Sequence, residues 1–235
     1  SASRSRPTRP TDRSRSAEAR RTGQNRMMAT TDDGAVPALG ARQLRSRRAV
    51  AGAFARNGSG YVLAGYLVLL VLLRGRRGRP GVADLRAVAA VAAIQPLFEW
   101  ALHRHVLHGP ARTFAGRRLD PGVPHRGHHR QPDDVDGALL GTGFALSNGA
   151  GVAVLGAAVG GIAAGPAGAP AGAVAGEAGL LAYEWLHLLA HSGYQPRSGW
   201  FRRVRAAHLR HHFRDEHTNF GVTSRLADRL LRTAA

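Results

Sequence analysis

The longest charge-free stretch of the chain constrains its fold more than any other feature. From residue 137 to residue 176, forty consecutive positions carry no Asp, Glu, Lys or Arg. The middle of this stretch, residues 165–170, is rich in Gly and Pro and can turn the chain. Because a membrane-spanning helix needs about 20 apolar residues, the length fits two spans joined by a short loop. A Gly/Ala-rich linker is the alternative, and the large apolar residues of the stretch argue against it.

Two further apolar segments precede this stretch. Residues 60–73 are uninterrupted and apolar, but fourteen residues make a short span or a re-entrant segment. Residues 82–102 are rich in Ala, Val, Ile and Leu and run directly into the first histidines. These patterns predict an all-α fold over residues 58–235, an integral membrane bundle of about four helices in two hairpins.

The N-terminal part of the chain has a different composition. Eight arginines stand in a Ser-, Pro- and Thr-rich background within the first 26 residues and contribute to a net charge of +18. Such a segment cannot bury enough apolar surface to fold, so we expect residues 1–57 to form a disordered, Arg-rich tail. A start at Met27 or Met28 is an alternative. No aromatic residue is interleaved with these arginines to stack on bases, so we expect no nucleic-acid partner.

The arginines that flank the charge-free stretch indicate its orientation. By the positive-inside tendency, both flanks lie in the cytoplasm, and the histidines form a cytosolic helical cap. The basic loop at residues 74–80 conflicts with this topology if both preceding segments cross the membrane. A shallow hairpin that does not cross would remove the conflict. The flanking arginines are Arg126, Arg130, Arg197, Arg202, Arg203 and Arg205.

The histidines are confined to one half of the chain. All twelve fall between residues 103 and 217, and cysteine is absent, which excludes disulfides, Cys-type zinc sites and thiolate-bound iron. Ten of the histidines form four short groups: His103 and His108; His125, His128 and His129; His187 and His191; His208, His211 and His212.

The spacing within these groups favours metal binding. Residues three or four apart share one face of a helix, so His187 with His191, or His208 with His211 or His212, can converge on one ion. His103 and His108 are five apart, and their convergence needs a helix end or a distortion. One such pair alone is more typical of a solvated surface, but four groups at one face of a membrane make coincidence implausible.

The number of histidines predicts two metal ions. Ten imidazoles exceed what one tetrahedral zinc ion can use. Imidazole binds iron and zinc alike, so zinc can occupy the site in a purified protein. We favour two iron ions, because a lipid-facing site without a nucleophile triad or a phosphate loop suits O2 activation better than hydrolysis.

Other polar residues are candidates for orienting the imidazoles through their second ring nitrogen. His105 and His217 lie outside the spacing pattern, and we expect them to be solvated or to support the ligands indirectly. The orienting candidates are Glu99, Glu184, Asp133, Asp134, Asp215 and Asn219.

The four histidine groups resemble the boxes of the fatty acid hydroxylase and sterol desaturase superfamily. The stretches Gly127–Asp133 and His211–Ser224 are most similar to those of the fatty acid 2-hydroxylases. The resemblance covers residues 60–231 and implies a cytosolic di-metal cap that inserts one oxygen atom of O2 into an acyl chain. It also implies that the ten histidines of the four boxes are the ligands.

The resemblance implies partners as well. We expect a lipid substrate in the membrane and a separate electron donor, either a ferredoxin, a cytochrome b5-like protein or a reductase, since no fused cytochrome b5 domain is recognisable in the sequence. A sterol desaturase or a carotenoid hydroxylase of the same superfamily is an alternative. A membrane zinc-binding or transport protein is another, although ionisable residues would then be expected within the spans, and residues 137–176 have none.

Overall fold

The computed structural model describes residues 40–235. In chain order its helices are α1 Arg47–Arg56, α2 Gly58–Gly75, α3 Val82–Leu102, α4 Val123–Arg130, α5 Val135–Ala138, α6 Thr142–Ala164, α7 Ala169–His191, α8 Gly199–Phe213 and α9 Leu226–Leu230. A short antiparallel hairpin, β1 Arg112–Phe114 and β2 Arg117–Leu119, lies between α3 and α4.

Part of the predicted disordered tail, residues 1–57, is helical. Most of it, residues 1–39 with both alternative starts, lies outside the described residues. Residues 47–56, however, form α1. Ser46 caps this helix by accepting a hydrogen bond from the Ala49 N–H at 3.1 Å, and Val50 and Ala53 are buried in a core that includes Leu188 of α7. Apolar burial on one helix face therefore overrides the basic composition of this segment.

The prediction of an all-α membrane bundle in two hairpins is confirmed, with the small β-hairpin as an unpredicted addition. Within residues 40–235, three stretches are long and apolar enough to cross a membrane: Gly58–Gly75, Val82–Leu107 and Val135–Ala164. The first is longer than its fourteen-residue apolar run, because Asn57 starts the helix by accepting a hydrogen bond from the Ser59 N–H at 2.9 Å.

The second hairpin turns where the sequence predicted, between Ala164 and Ala169, but its second helix is longer than predicted. Its second helix, α7, does not end near residue 176 but continues to His191 through the third histidine group. It therefore carries Glu177 and Glu184, both buried. The charge-free stretch thus gives an incomplete picture of the spans, and its lack of ionisable residues does not by itself argue against a transport protein.

Glycines allow α6 and α7 to pack closely. Gly156 and Gly160 on α6 face Gly172 and Gly176 on α7. A Cβ atom added at Gly172 would lie 2.1 Å from the carbonyl oxygen of Gly156, so the two backbones approach too closely for any side chain. Small residues at four-residue spacing are typical of helix pairs in membranes.

Two small cores hold the cap onto the bundle. Leu188 and Leu189 at the end of α7 pack with Phe201 and Val204 of α8. At the end of α3, Trp100 packs with Phe220 and Ala227 of the C-terminal segment. Because α3 and α7 are the returning helices of the two hairpins, both cores and the histidines at these helix ends lie at the same end of the bundle.

Candidate metal centre

The structure gathers the ten histidines of the four boxes into two groups of five. In each group the candidate donor nitrogens all lie within 4.8 Å of one another. We call them cluster 1 and cluster 2. Cluster 1 contains His103, His108, His125, His129 and His211, and cluster 2 contains His128, His187, His191, His208 and His212.

Each HxxHH box contributes to both clusters. On α4, His125 and His129 are four apart and join cluster 1, whereas His128 points to cluster 2. On α8, His208 and His212 join cluster 2, and His211 points to cluster 1. Successive residues of an α-helix are about 100° apart around its axis, so adjacent histidines face different ions while residues four apart face the same one.

A π-helical turn brings His103 and His108 together. The helix α3 continues into this turn at His103–Leu107, and the His108 N–H donates to the His103 carbonyl at 3.0 Å. This bond joins residues five apart, which places both side chains on one face. The ring centroids of His103 and His108 are 5.1 Å apart. Of the two predicted alternatives, a helix end or a distortion, the structure therefore shows a distortion, a π turn that continues α3.

The distances between donor atoms fit a metal ion better than hydrogen bonds. In cluster 1, Nε2 of His125 lies 3.0 Å from Nε2 of His103 and 3.1 Å from Nε2 of both His108 and His129. One ring proton cannot serve three such contacts. Two donors about 2.1 Å from one ion and at about 90° to each other are roughly 3.0 Å apart, as these atoms are.

The same geometry recurs in cluster 2. Nε2 of His191 lies 3.1 Å from Nε2 of His128 and 2.9 Å from Nε2 of His208. The Nε2 atom of His187 is buried and has no hydrogen-bond partner among the described residues. A buried polar nitrogen in this position needs a partner, and a metal ion would supply it.

Backbone carbonyls fix the tautomers of two imidazoles in cluster 1. Nδ1 of His103 is hydrogen-bonded to the Phe220 carbonyl, and Nδ1 of His211 to the Thr218 carbonyl at 2.7 Å. A carbonyl only accepts, so Nδ1 carries the proton in both rings. The Nε2 lone pairs are therefore free to point into the cluster, which is the arrangement expected of metal-binding histidines.

The environment keeps these imidazoles neutral. Burial, together with the neighbouring imidazoles, lowers the pKa of His129 to about 3. Burial likewise lowers the pKa of His211 to about 4, against the opposing effect of its hydrogen bond to Thr218. The pKa values of His208 and His212 are lowered for the same reasons, with burial the largest cause. At neutral pH the rings present lone pairs rather than positive charges, as metal binding requires.

The predicted orienting residues act on the backbone instead of on the imidazoles. Glu99 accepts a hydrogen bond from the Thr223 N–H at 2.8 Å, and Glu184 accepts one from the Leu140 N–H, also at 2.8 Å. Asp133 accepts from the Arg42 N–H at 2.7 Å. The prediction that these carboxylates bond to imidazoles was wrong, because each accepts hydrogen bonds from backbone N–H groups that would otherwise be unpaired.

The remaining candidates also have other partners. Asp134 caps α5 through the N–H groups of Asp136 and Gly137, and Asp215 accepts from the His217 N–H at 3.0 Å. The Asn219 side chain accepts from the Ala235 N–H at 3.2 Å. Carbonyls, which sequence reasoning did not consider, orient His103 and His211. His105 and His217 are exposed and lie outside both clusters, as expected.

Each cluster borders a cleft. A cleft of about 340 Å³ has His108 of cluster 1 in its wall, beside Arg104 and Arg112. A second cleft, of about 440 Å³, has His128 of cluster 2 in its wall. It also contacts Leu139 and Phe144, which belong to the apolar stretch Val135–Ala164. The second cleft therefore reaches from a histidine cluster to the apolar part of the bundle.

The fold and site define a class of protein: an integral membrane helical bundle capped by histidine clusters that could hold metal ions. The model of the family described as "Fatty acid hydroxylase" matches residues 88–233. The chain belongs to the fatty acid hydroxylase family, which confirms the resemblance inferred from the histidine boxes.

The comparison with solved structures supports the same fold. The chain is similar to a structure described as full-length scs7p with only the hydroxylase domain visible, with a TM-score of 0.60 and 22% sequence identity. The match covers 76% of this chain and 67% of that one. At this identity the likeness shows the fold alone. A comparison with curated protein sequences finds no match.

Proposed function

We propose that the protein is an O2-dependent, non-haem di-iron hydroxylase of a fatty acyl chain or a related membrane lipid. The observation that carries this proposal is the division of the ten box histidines into two clusters of five, at one end of an apolar bundle in a fatty acid hydroxylase chain. Within the superfamily, the stretch His211–Ser224 favours the fatty acid 2-hydroxylases.

The chain's own residues would hold and orient the metal ions. Five Nε2 or Nδ1 donors in each cluster converge, and the carbonyls of Thr218 and Phe220 hold two rings in the tautomer that leaves Nε2 free. Iron held there would supply O2 activation for C–H cleavage. An all-imidazole donor set also accepts zinc, so zinc in a purified sample would not contradict this assignment.

The cleft beside His128 is the proposed approach for the acyl chain. Phe144 is exposed within an apolar stretch that could span the membrane, while His128 belongs to cluster 2, and both contact the same cleft. An acyl chain that lies along the start of α6 could reach His128 past Phe144 and Leu139.

The reaction needs an external source of electrons. Hydroxylation of a C–H bond by O2 consumes two electrons and two protons and yields the alcohol and one water molecule. The imidazoles of the two clusters are not themselves redox-active, so we propose that a separate ferredoxin, cytochrome b5-like protein or reductase supplies the electrons. The arginines around the cap favour a cytoplasmic position for the cap, and an electron donor in the cytoplasm could reach the metal centre there.

Metal and product analysis together test the proposal. The wild-type protein, purified in detergent, is expected to contain about two metal ions per chain, consistent with two separate histidine sites. His187→Ala and His211→Ala are expected to lose metal, whereas the exposed His217→Ala is the matched control. With an electron donor and O2, lipid extracts are expected to gain a hydroxyl group, detected by mass spectrometry.

Two results would contradict this function. A freshly prepared wild-type protein without stoichiometric metal would contradict the di-metal centre. A metal-loaded protein that introduces a double bond instead of a hydroxyl group would indicate a desaturase of the same superfamily.

A further inference from the structure

The loop between α8 and α9, residues 214–225, connects the C-terminal segment to cluster 1. Its Thr218 carbonyl accepts from Nδ1 of His211, and its Phe220 carbonyl accepts from Nδ1 of His103. Between these two residues, Asn219 has a φ angle of 54°, in the left-handed region. A loop in this conformation needs outside support to hold both carbonyls in place.

Two buried carboxylates provide that support. Glu99, four residues before His103 on α3, accepts hydrogen bonds from the N–H groups of Val222 and Thr223 and from the Thr223 hydroxyl. Asp228 on α9 accepts from the Phe220 and Gly221 N–H groups, both at 2.9 Å. Asp228 is fully buried and Glu99 is 6% exposed. The backbone from Phe220 to Thr223 is thus held from both sides.

The C-terminal segment extends this network. The Thr233 hydroxyl donates to Asp228 at 2.7 Å and accepts from Nε1 of Trp100 at 2.9 Å. The Asn219 N–H donates to the Thr233 carbonyl at 2.9 Å. Because Trp100 and Glu99 lie on α3 directly before His103, the network ties the membrane helix, the loop and the C-terminus to one another.

Cluster 2 is supported from another part of the chain, because His187 is hydrogen-bonded to the backbone of Ala138 on α5. Nδ1 atoms of His128, His208 and His212 are buried without hydrogen-bond partners in the part of the chain that the structure describes. The two clusters therefore differ in how their imidazoles are oriented, although each contains five histidines.

We infer that Asp228 and Glu99 are positioning residues for cluster 1 alone: they hold the loop whose carbonyls orient His103 and His211. The inference rests on the proposed di-metal function. It assigns the C-terminal segment a role in holding one specific metal ion. Loss of groups that orient metal ligands typically lowers metal affinity about 10–100-fold.

Asp228→Asn and Glu99→Gln test this positioning role, because the first must lose a hydrogen bond to the loop whereas the second can keep all of its hydrogen bonds. In Asp228→Asn, one carboxylate oxygen becomes an NH2 group that must face a backbone N–H, so at least one bond is lost. In Glu99→Gln, the amide oxygen can accept from both backbone N–H groups, and the NH2 group can donate to the Thr223 hydroxyl. Glu99→Ala removes all three bonds and is the disruptive counterpart.

The experiment measures metal content and its release to a chelator in the full-length protein in detergent. Wild type, Glu99→Gln and the control Asp133→Asn, whose carboxylate accepts from the Arg42 N–H and not from the loop, are expected to keep both ions. Asp228→Asn and Glu99→Ala are expected to release the ion of cluster 1 at chelator concentrations roughly 10–100-fold lower than wild type, and to release the other ion as wild type does. Adding His103→Ala to Asp228→Asn should leave the release of the cluster 2 ion unchanged, whereas adding His208→Ala should speed the release of that ion as well.

A milder variant covers the case in which Asp228→Asn does not accumulate. Thr233→Val removes the hydroxyl's bonds to Asp228 and to Nε1 of Trp100, leaves both carboxylates in place, and is expected to speed the release of one ion. Equal loss of both ions in these variants, or full retention in Glu99→Ala, would overturn the inference while leaving the proposed function intact. A wild-type protein without metal would instead contradict the proposed function.

Discussion

His211 and His212 are neighbours in sequence, yet their ring planes lie at 89° to each other and they belong to different clusters. Their ring centroids are 5.5 Å apart. The same division separates His128 from His129 on α4. The two clusters therefore lie side by side, and α4 and α8 each supply histidines to both clusters from about one helical turn.

Substitution of these neighbours should remove different ions. His211→Ala leaves cluster 1 with four imidazoles, and His212→Ala leaves cluster 2 with four. Each variant is expected to keep about one of two ions, because loss of a ligand weakens only the ion that it binds. The double variant is expected to keep neither. Elemental analysis of the purified proteins measures this directly.

His105→Ala serves as the control, because His105 is exposed and lies outside both clusters. It should retain both ions. If His211→Ala and His212→Ala instead deplete the same ion, as shown by their combination with His103→Ala, the division into two clusters is wrong.

Much of this arrangement could be predicted from the sequence. The charge-free stretch and the apolar segments predicted the two hairpins, because a lipid environment leaves few alternatives for long apolar runs. The spacing of the boxes predicted convergence, because residues three or four apart share a helix face. Which of His211 and His212 pairs with His208 stayed open, since both spacings are compatible with one face.

Other features depend on tertiary contacts that a sequence does not display. The π turn at His103–Leu107 has no clear sequence signature apart from the five-residue spacing of its histidines. The orientation of His103 depends on a carbonyl 117 positions away in the chain, at Phe220. Any residue can supply a carbonyl, so residue type gave no signal. Asp228 was missed for a related reason, because its partners are backbone N–H groups.

The close contact of α6 and α7 should make Gly172 intolerant of any side chain. A Cβ atom at this position would lie 2.1 Å from the Gly156 carbonyl oxygen, so Gly172→Ala forces the helices apart. We expect the free energy of unfolding to fall by about 1–3 kcal/mol, as for other overpacked sites. Thermal unfolding in detergent, followed by circular dichroism, would measure the change.

Gly151→Ala is the matched control on α6. Nothing lies within 4 Å of a Cβ atom added there, so the substitution should be neutral or stabilise the helix by up to about 1 kcal/mol. Equal changes in the free energy of unfolding for Gly172→Ala and Gly151→Ala would show that close contact between α6 and α7 does not require glycine at position 172.

Glu177 should limit the stability of the bundle. It is fully buried in α7, and neither carboxylate oxygen has a hydrogen-bond partner among residues 40–235. Glu177→Met, which preserves side-chain length, removes this uncompensated polar group. We expect it to raise the free energy of unfolding by about 1–3 kcal/mol.

Glu184→Met provides the contrast on the same helix. Glu184 is also buried but accepts a hydrogen bond from the Leu140 N–H at 2.8 Å. Its replacement leaves that N–H unpaired and should lower stability. A destabilised Glu177→Met variant would mean that Glu177 has a polar partner, such as a bound water molecule, that stabilises the native state.

The metal-free cap should lose stability as the pH falls below about 6.5. The pKa values of His129 and His211 are about 3 and about 4 in the folded protein, because burial disfavours the charged rings. In the unfolded chain both pKa values return to about 6.5. Between pH 6.5 and pH 4 the unfolded state therefore binds more protons than the folded state, and the free energy of unfolding rises with pH.

The unfolding midpoint of chelator-treated protein should accordingly be lower at pH 5.0 than at pH 7.5. His129→Gln removes one of these groups and should reduce the difference between the two midpoints. The exposed His217→Gln should leave the pH dependence as it is in wild type. An unchanged midpoint across this range would contradict the burial of neutral imidazoles from which the metal centre is argued.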